Sequence, residues 1–425
     1  MDNQEQHTHG NIKSFYGLGI APRLLDIIAK MNFTSPTPIQ AQAIPIAIQG
    51  KDIVGIAQTG TGKTLAFGIP MIQRLAQVKG QGLIVLPTRE LALQVDEALA
   101  VIGREINLRT VVLIGGTALE PQVRALAKNP HIIIVTPGRL IDHLNQKNIR
   151  LNNVSILVLD EADRMLDMGF APQIQKIFQA LPKERQTMLF SATMPQEIMK
   201  MASAHMKLPI RVEIAPAGTT AEGVTQELFI VPQTQKTALL GKLLESYRGS
   251  TLVFTRTKHG AKRVTRQMRV LGISAAEIHS NRSLGQRREA LEGFKAGKYR
   301  VLIATDIASR GIDVTGIELV VNYDLPGTSD DYVHRIGRTA RAGASGHAIT
   351  FAMPDELREV RAIERLIRKN LPISALPNLP FRTEFPAMPF QDTPEPSRPP
   401  FRGSGHSGPR RPAHWRNRSN RFPRR

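Results

Sequence analysis

The sequence predicts an α/β fold: two tandem, doubly wound parallel-sheet domains followed by a disordered basic C-terminal tail. Three observations carry that expectation. Short apolar runs alternate with helical stretches along most of the chain, the pattern restarts after residue 215, and the composition changes sharply after Ala375.

In the first half the strand-like runs are Asp52–Ala57, Gly82–Leu86, Thr110–Ile114, His131–Val135, Ser155–Leu159 and Thr187–Phe190. Runs such as 156–159 (Ile-Leu-Val-Leu) do not alternate, as expected for strands buried on both faces of a parallel sheet. Arg89–Ile102 and Ala171–Ala180 read as helices between them. The second series comprises Thr251–Phe254, Ala275–His279, Arg300–Ala304, Glu318–Asn322 and Ala348–Ala352, with helices at Lys258–Leu271 and Leu284–Lys295. Ala215–Gly223 is small and polar and reads as a linker. The expected units are a flexible N-terminus over 1–14, domains over 15–214 and 224–375, and a tail over 376–425. Pro354–Asn370 reads as a closing amphipathic helix. The tail holds eleven prolines and no sustained periodicity, so it cannot bury enough apolar area to offset its ordering entropy.

Composition narrows the function. The 425 residues carry a formal charge of +20, and nine arginines between Arg398 and Arg425 account for nearly half of it. An excess of this size attracts a polyanion through counterion release, with nucleic acid as the leading partner. The absence of cysteine excludes disulfides and thiolate metal sites and suits a reducing cytoplasm. Met1–Gly10 has no apolar core of a secretory signal, and no apolar run approaches the roughly 18 residues of a membrane span. A soluble, cytoplasmic protein with no membrane partner is expected.

The chemistry is concentrated in two motifs. Ala57, Gln58, Thr59, Gly60, Thr61, Gly62, Lys63 and Thr64 follow a strand and open a helix, fitting a phosphate-binding loop whose first glycine is Ala57. Glycines there let backbone N–H groups turn toward phosphate oxygens, and the helix adds the positive end of its dipole. Lys63 can reach the β and γ phosphates, and Thr64 offers a hydroxyl to Mg²⁺. Downstream, Asp160-Glu-Ala-Asp163 ends a buried strand, where open α/β sheets bind ligands. Asp160 is placed to hold Mg²⁺ and Glu161 to deprotonate the attacking water. The plain alternative for these acids is a helix N-terminus favoured by the dipole.

Asp160–Asp163 also stands in an ordered series. Phe33-Thr-Ser-Pro-Thr-Pro-Ile-Gln40 precedes the phosphate loop, with Phe15 upstream. Pro87-Thr-Arg-Glu-Leu-Ala92, Gly115-Gly116, Thr136-Pro-Gly-Arg139 and Ser191-Ala-Thr193 follow in the first half. Leu252-Val-Phe-Thr-Arg-Thr257, Ala304-Thr-Asp306, Arg310-Gly-Ile-Asp313 and 334–343 (His-Arg-Ile-Gly-Arg-Thr-Ala-Arg-Ala-Gly) lie in the second. Over roughly residues 15–353 the chain resembles the DEAD-box ATP-dependent RNA helicases, and its short connections and brief basic tail look most like the bacterial RhlE type.

The resemblance implies two RecA-like domains that close over ATP and RNA. It implies that Gln40 reads the adenine edge, that Phe15 stacks on the ring, and that Phe33 belongs to the same pocket. A buried core aromatic is the alternative for Phe15. Arg338 and Arg341 are implied as arginine fingers and Asp313 as a ribose contact. His334 is implied to couple the sites through Asp163, Ser191 and Thr193. The RNA contacts implied are Thr88, Arg89, Gly116, Thr136, Gly138, Arg139, Arg256, Arg287 and Thr305, residue types that bind phosphate and sugar without reading bases. A monomeric core is implied, with ribosomal or RNA-decay assemblies as further partners. The competing function is an RNA chaperone or annealing factor acting through the tail.

Three positions depart from the family pattern: Asn32 stands where Gly is usual, Leu284 where Gln is usual, and Ala340 where Gly is usual. Ala340 is expected to be tolerated because alanine is small and helix-compatible.

Overall fold

The structure, a computed structural model, describes residues 14–58, 60–214, 223–306, 314, 316–340 and 345–379. Thr59, Arg310, Asp313 and Arg341, the linker over 215–222 and the tail beyond 379 lie outside the described residues.

Helices α1 (Pro22–Lys30) and α2 (Pro38–Ile48) lead into the first sheet. Its elements are β1 (Ile53–Ile56), α3 (Lys63–Leu75), β2 (Gln81–Val85), α4 (Arg89–Arg104), β3 (Thr110–Leu113), α5 (Leu119–Leu126), β4 (Ile132–Val135) and α6 (Pro137–Asn145). They continue with β5 (Val154–Leu159), α7 (Ala162–Asp167), α8 (Ala171–Ala180), β6 (Gln186–Ser191), α9 (Gln196–His205) and β7 (Ile210–Glu213). The sheet has seven parallel strands in the order β3-β4-β2-β5-β6-β1-β7. Strands β1 and β4 and most of β2 and β5 are buried throughout, because helices cover both faces. Two apolar clusters result, one around Ile84, Phe67 and Phe190 and one around Val85, Leu157 and Leu189. Truncating a side chain such as Ile84 to Ala would cost about 2–5 kcal/mol.

The second sheet is built from β8 (Val224–Ile230), α10 (Lys236–Ser246), β9 (Thr251–Phe254), α11 (Lys258–Val270), β10 (Ala275–Ile278), α12 (Leu284–Lys295), β11 (Val301–Ala304) and β12 (Leu319–Asn322). It is completed by α13 (Ser329–Ile336), β13 (Gly346–Ala352), a 3₁₀ turn (Pro354–Glu356) and α14 (Leu357–Ile367). The six parallel strands run β10-β11-β9-β12-β13-β8. The edge strands β7 and β8, which flank the linker, are absent from the sequence reading. β7 has four residues with only Val212 buried, too short and too exposed to give an apolar run.

Two of the three family departures have a backbone explanation. Asn32 lies just beyond α1 at φ +61°, and its N–H donates to Ala29 O at 2.9 Å. It is the left-handed residue that ends the helix, a position glycine fills best and asparagine next best. Ala340 sits at φ +53°. The expectation that a helix-compatible alanine suits this position is therefore corrected: the backbone is left-handed there, and the Cβ strains it.

Candidate active site

The sheet order divides the carboxyl edge of the first domain into two working halves. From β1, β5 and β6, neighbours in the sheet except for their flanking pairings, come the phosphate loop, Asp160–Asp163 and Ser191–Thr193. From β2, β3 and β4 come Thr88–Arg89, Gly115–Gly116 and Thr136–Arg139. Both sets emerge on one side because every strand runs parallel.

In the first half, Gly60 and Gly62 are left-handed at φ +85° and +89°. A Cβ on Gly62 would collide with the Gln40 amide, so glycine is required. Gln40 is 2% exposed; its Oε1 accepts from Thr37 N at 3.0 Å and its Nε2 donates to Gly62 O at 3.0 Å. It thus fastens α2 to the phosphate loop and retains one donor and one acceptor site on its amide. Lys63 and Asp160 form a buried ion pair at 3.4 Å. Burial pushes the Asp160 carboxyl above its usual range, with the neighbouring Glu161 adding to the effect and Lys63 opposing it. Glu161 is 2% exposed, neither carboxylate oxygen has a hydrogen-bond partner among the described residues, and its backbone is left-handed at φ +53°. An unpartnered buried carboxylate on strained backbone is costly, and such costs cluster where chemistry is done.

Asp163 is the opposite case. Its Oδ2 accepts from Ala192 N (3.1 Å), Thr193 N (2.9 Å) and Thr193 Oγ1 (3.0 Å), while its own N–H donates to Ser191 Oγ at 3.3 Å. Burial raises its pKa, but nearby positive charge and these hydrogen bonds outweigh burial and hold it below the usual carboxylate range. His334, from the second domain, is pushed well below the ordinary imidazole range by burial and by Arg164, against the pull of Asp163. The two sheets meet here. Arg164 of α7 pairs with Asp331 of α13 at 3.7 Å, and Gly337 lies beside Gln58 of the phosphate loop. Arg338 is 3% exposed in the same crevice as Arg164 and His334.

Sequence reasoning assigned no role to Arg335, Arg164, Asp331, Asp306 or Glu90. Arg335 is fully buried and grips Asp306 with both arms (2.6 and 2.8 Å), donates to Asn322 Oδ1 and Asp324 O, and lies 5.0 Å from the Phe254 ring centre. It locks α13 to the second sheet, so the residues beside it are presented rigidly. Its place inside the 334–343 motif was the available signal. The partner of Arg164 lies far away in sequence and was not readable.

In the other half, Thr88 caps α4 by accepting from Leu91 N at 3.3 Å, and Arg89 packs so closely over Gly116 that any Cβ there would overlap its guanidinium. Thr136 is buried at the N-cap of α6, and Gly138 faces open space. Arg139 donates to Thr117 O at 3.1 Å and its Nε lies 3.6 Å from Asp142 Oδ2, while its Nη1 has no hydrogen-bond partner among the described residues. Two helix N-termini and two arginines therefore converge, a surface suited to phosphates. In the second domain Thr305 is buried at the end of β11, and Arg256 bonds Glu356 at 3.1 Å. Arg287, expected among the RNA contacts, donates to Glu90 of the first domain at 2.8 Å. Phe15 sits in the first-domain core at 4% exposure, whereas the Phe33 ring is 42% exposed. Of the two aromatics expected near the adenine, Phe33 is the more open.

A parallel-sheet pair with a phosphate loop, a buried acidic centre and cationic side chains brought in from the second sheet defines a two-domain nucleoside-triphosphate-driven motor. Comparison with known proteins makes this specific. Residues 37–201 match the DEAD/DEAH box helicase family and residues 235–343 match the helicase conserved C-terminal domain. The chain is 45% identical over 370 residues to the ATP-dependent rRNA helicase RRP3 of Debaryomyces hansenii, covering 86% of this chain and 78% of the relative. Among solved structures, S. cerevisiae Dbp5 bound to RNA and ADP BeF3 aligns with a TM-score of 0.78 at 29% identity, covering 85% of this chain and 95% of that one. A DEAD box protein from Methanococcus jannaschii aligns with a TM-score of 0.52 at 37% identity, covering 85% and 99%. The chain belongs to the DEAD-box helicase family.

Proposed function

We propose that this protein is an ATP-dependent RNA helicase that hydrolyses ATP at the junction of its two sheets and bends a single RNA strand across their shared face. The observation that carries the reading is the buried carboxylate of Glu161, without a hydrogen-bond partner among the described residues, next to the Lys63–Asp160 pair. Glu161 takes the proton of the attacking water. Lys63 turns from Asp160 to the β and γ phosphates when ATP binds, and Arg338, joined by Arg341, neutralises charge that develops on the transferred phosphoryl group. The remaining donor and acceptor of Gln40 meet the adenine edge, Phe33 contributes its open ring face, and Asp313 holds the ribose.

Thr64 and Asp160 offer a hydroxyl and a carboxylate, an oxygen donor set that fits Mg²⁺. The destabilised ionised form of Asp160 is the group such a cation would favour. Bound there, Mg²⁺ would supply charge neutralisation on the phosphates. Asp163, bonded to the Ser191–Thr193 turn, and His334, within electrostatic reach of Asp163, connect the hydrolytic centre to the strand-binding face.

Thr88, Arg89, Gly116, Thr136, Gly138 and Arg139 hold RNA phosphates and sugars, with Arg256 and Thr305 completing the path. A bend in the strand is incompatible with an A-form duplex, so short helices separate locally. The name of the RRP3 relatives supports ribosomal RNA as the substrate class.

The test compares ATP hydrolysis stimulated by RNA with that stimulated by DNA of the same sequence. Stimulation by RNA alone, lost in Lys63→Ala, is expected; equal stimulation by DNA would overturn the substrate assignment. Annealing that survives Lys63→Ala and vanishes on removal of 376–425 would favour the chaperone reading.

A further inference from the structure

Helix α14 buries Val360, Ile363 and Ile367 against the second domain and turns a different face outward. Arg358, Arg361, Arg365 and Arg368 recur on that face at spacings of three and four, and Lys369 follows. All five are exposed and line one shallow crevice of about 660 Å³. Their neighbours do not neutralise them. Among the described residues, none of the five has a carboxylate within ion-pair distance. Glu364, the acid in the crevice, accepts instead from Leu371 N at 2.9 Å. Like charges at these spacings destabilise an isolated helix, so the sequence maintains a self-repelling row.

We infer that this arginine row is a second RNA-backbone site that continues the strand path beyond the core. The row spans ~15 Å at 1.5 Å per residue, the length of roughly four phosphates in a stacked strand. It starts two residues after Glu356, whose carboxylate holds Arg256, a residue of the proposed RNA path. Guanidinium groups on a rigid helix bind phosphate by paired hydrogen bonds and read no sequence. An acidic protein surface would satisfy the same charges, but continuity with Arg256 favours RNA. The tail that follows carries the same sign of charge and does not complement the row.

The inference rests on RNA being the substrate, so the experiment carries its own control. Full-length protein and the R358Q/R361Q/R365Q/R368Q variant are titrated with fluorescein-labelled single-stranded RNA of 10 and 25 nucleotides over a salt series. ATP hydrolysis at saturating RNA is measured in parallel. The variant is expected to lose about ten-fold in affinity for the longer strand. The slope of log K against log salt should fall by about 2 to 3, from ~0.7 per lost phosphate contact. Hydrolysis at saturating RNA should stay within two-fold, and the corresponding four-lysine variant should recover most of the slope. An unchanged slope and affinity, with RNA-stimulated hydrolysis intact, would overturn the inference and point to an acidic protein partner. Failure of RNA to stimulate even the unaltered protein would instead sink the helicase reading itself.

Discussion

Arg287 of the second domain donates to Glu90 of the first across 197 residues of sequence, at 2.8 Å and with both side chains nearly buried. Leu284, one turn earlier on α12, packs against the apolar cluster of the first domain. The amino end of α12 is therefore a latch between the sheets, apolar at one residue and ionic at the next turn. Arg287→Ala strands the Glu90 charge and is expected to raise the KM for RNA about ten-fold, ~1.4 kcal/mol against closure. Thermal unfolding should barely change, because each sheet keeps its own core. Donor–acceptor fluorophores on the two domains give the direct readout; undiminished closure would remove the latch.

Glu161 has no hydrogen-bond partner among the described residues, so Glu161→Gln should leave ATP binding intact while hydrolysis falls by about 10²–10⁴, the usual contribution of a general base. Neutralising an unpartnered buried carboxylate should also stabilise the fold slightly. Normal turnover in this variant would show that the base lies elsewhere.

Acid should open the molecule through His334. Its imidazole is neutral when buried between the domains, and its pKa there lies well below the ordinary 6.5. The exposed, open form binds more protons between those two values. Its contribution to closure is thus complete above about pH 6.5 and is lost as pH falls toward the depressed value. Asp163, held below the usual carboxylate range, stays ionised through this window. RNA-stimulated kcat/KM should therefore fall from pH 7 to 5.5, and His334→Gln should flatten that limb. A profile identical in both proteins would assign the limb to another group.

Ala340 is a left-handed residue with a Cβ, and relieving it is the simplest stabilising change the structure offers. Ala340→Gly should add about 1 kcal/mol, raising the melting temperature of the second domain by a few degrees. ATP hydrolysis should change by less than ten-fold. No gain in melting temperature would mean that the strain is already relaxed by neighbouring loops.

Much of this architecture was legible because parallel strands buried on both faces leave unbroken apolar runs. Thr251–Phe254 and the helices Ala171–Ala180 and Leu284–Lys295 have the bounds that periodicity suggests. β7 and β8 were not legible: β7 buries only Val212 of its four residues, and the polar Thr225, Gln226 and Glu227 interrupt the apolar run of β8. The motifs announced Lys63, Asp160 and Glu161, but not which acid would be left without partners. That depends on chain turns such as φ +53° at Glu161. The pairs Arg287–Glu90 and Arg164–Asp331 join segments far apart in sequence, and no local pattern encodes them.

The seam between β2 and β5 separates the strands that carry the phosphate loop from those that carry the turns proposed to bind RNA. Both groups hang from a single rigid beam whose hydrogen-bonded register fixes their spacing. Adaptation of this protein to a new RNA, or to a different nucleotide affinity, is thereby confined to the loop tips. A substitution inside the beam shifts both workplaces together, which makes its interior the slowest part of the molecule to diversify.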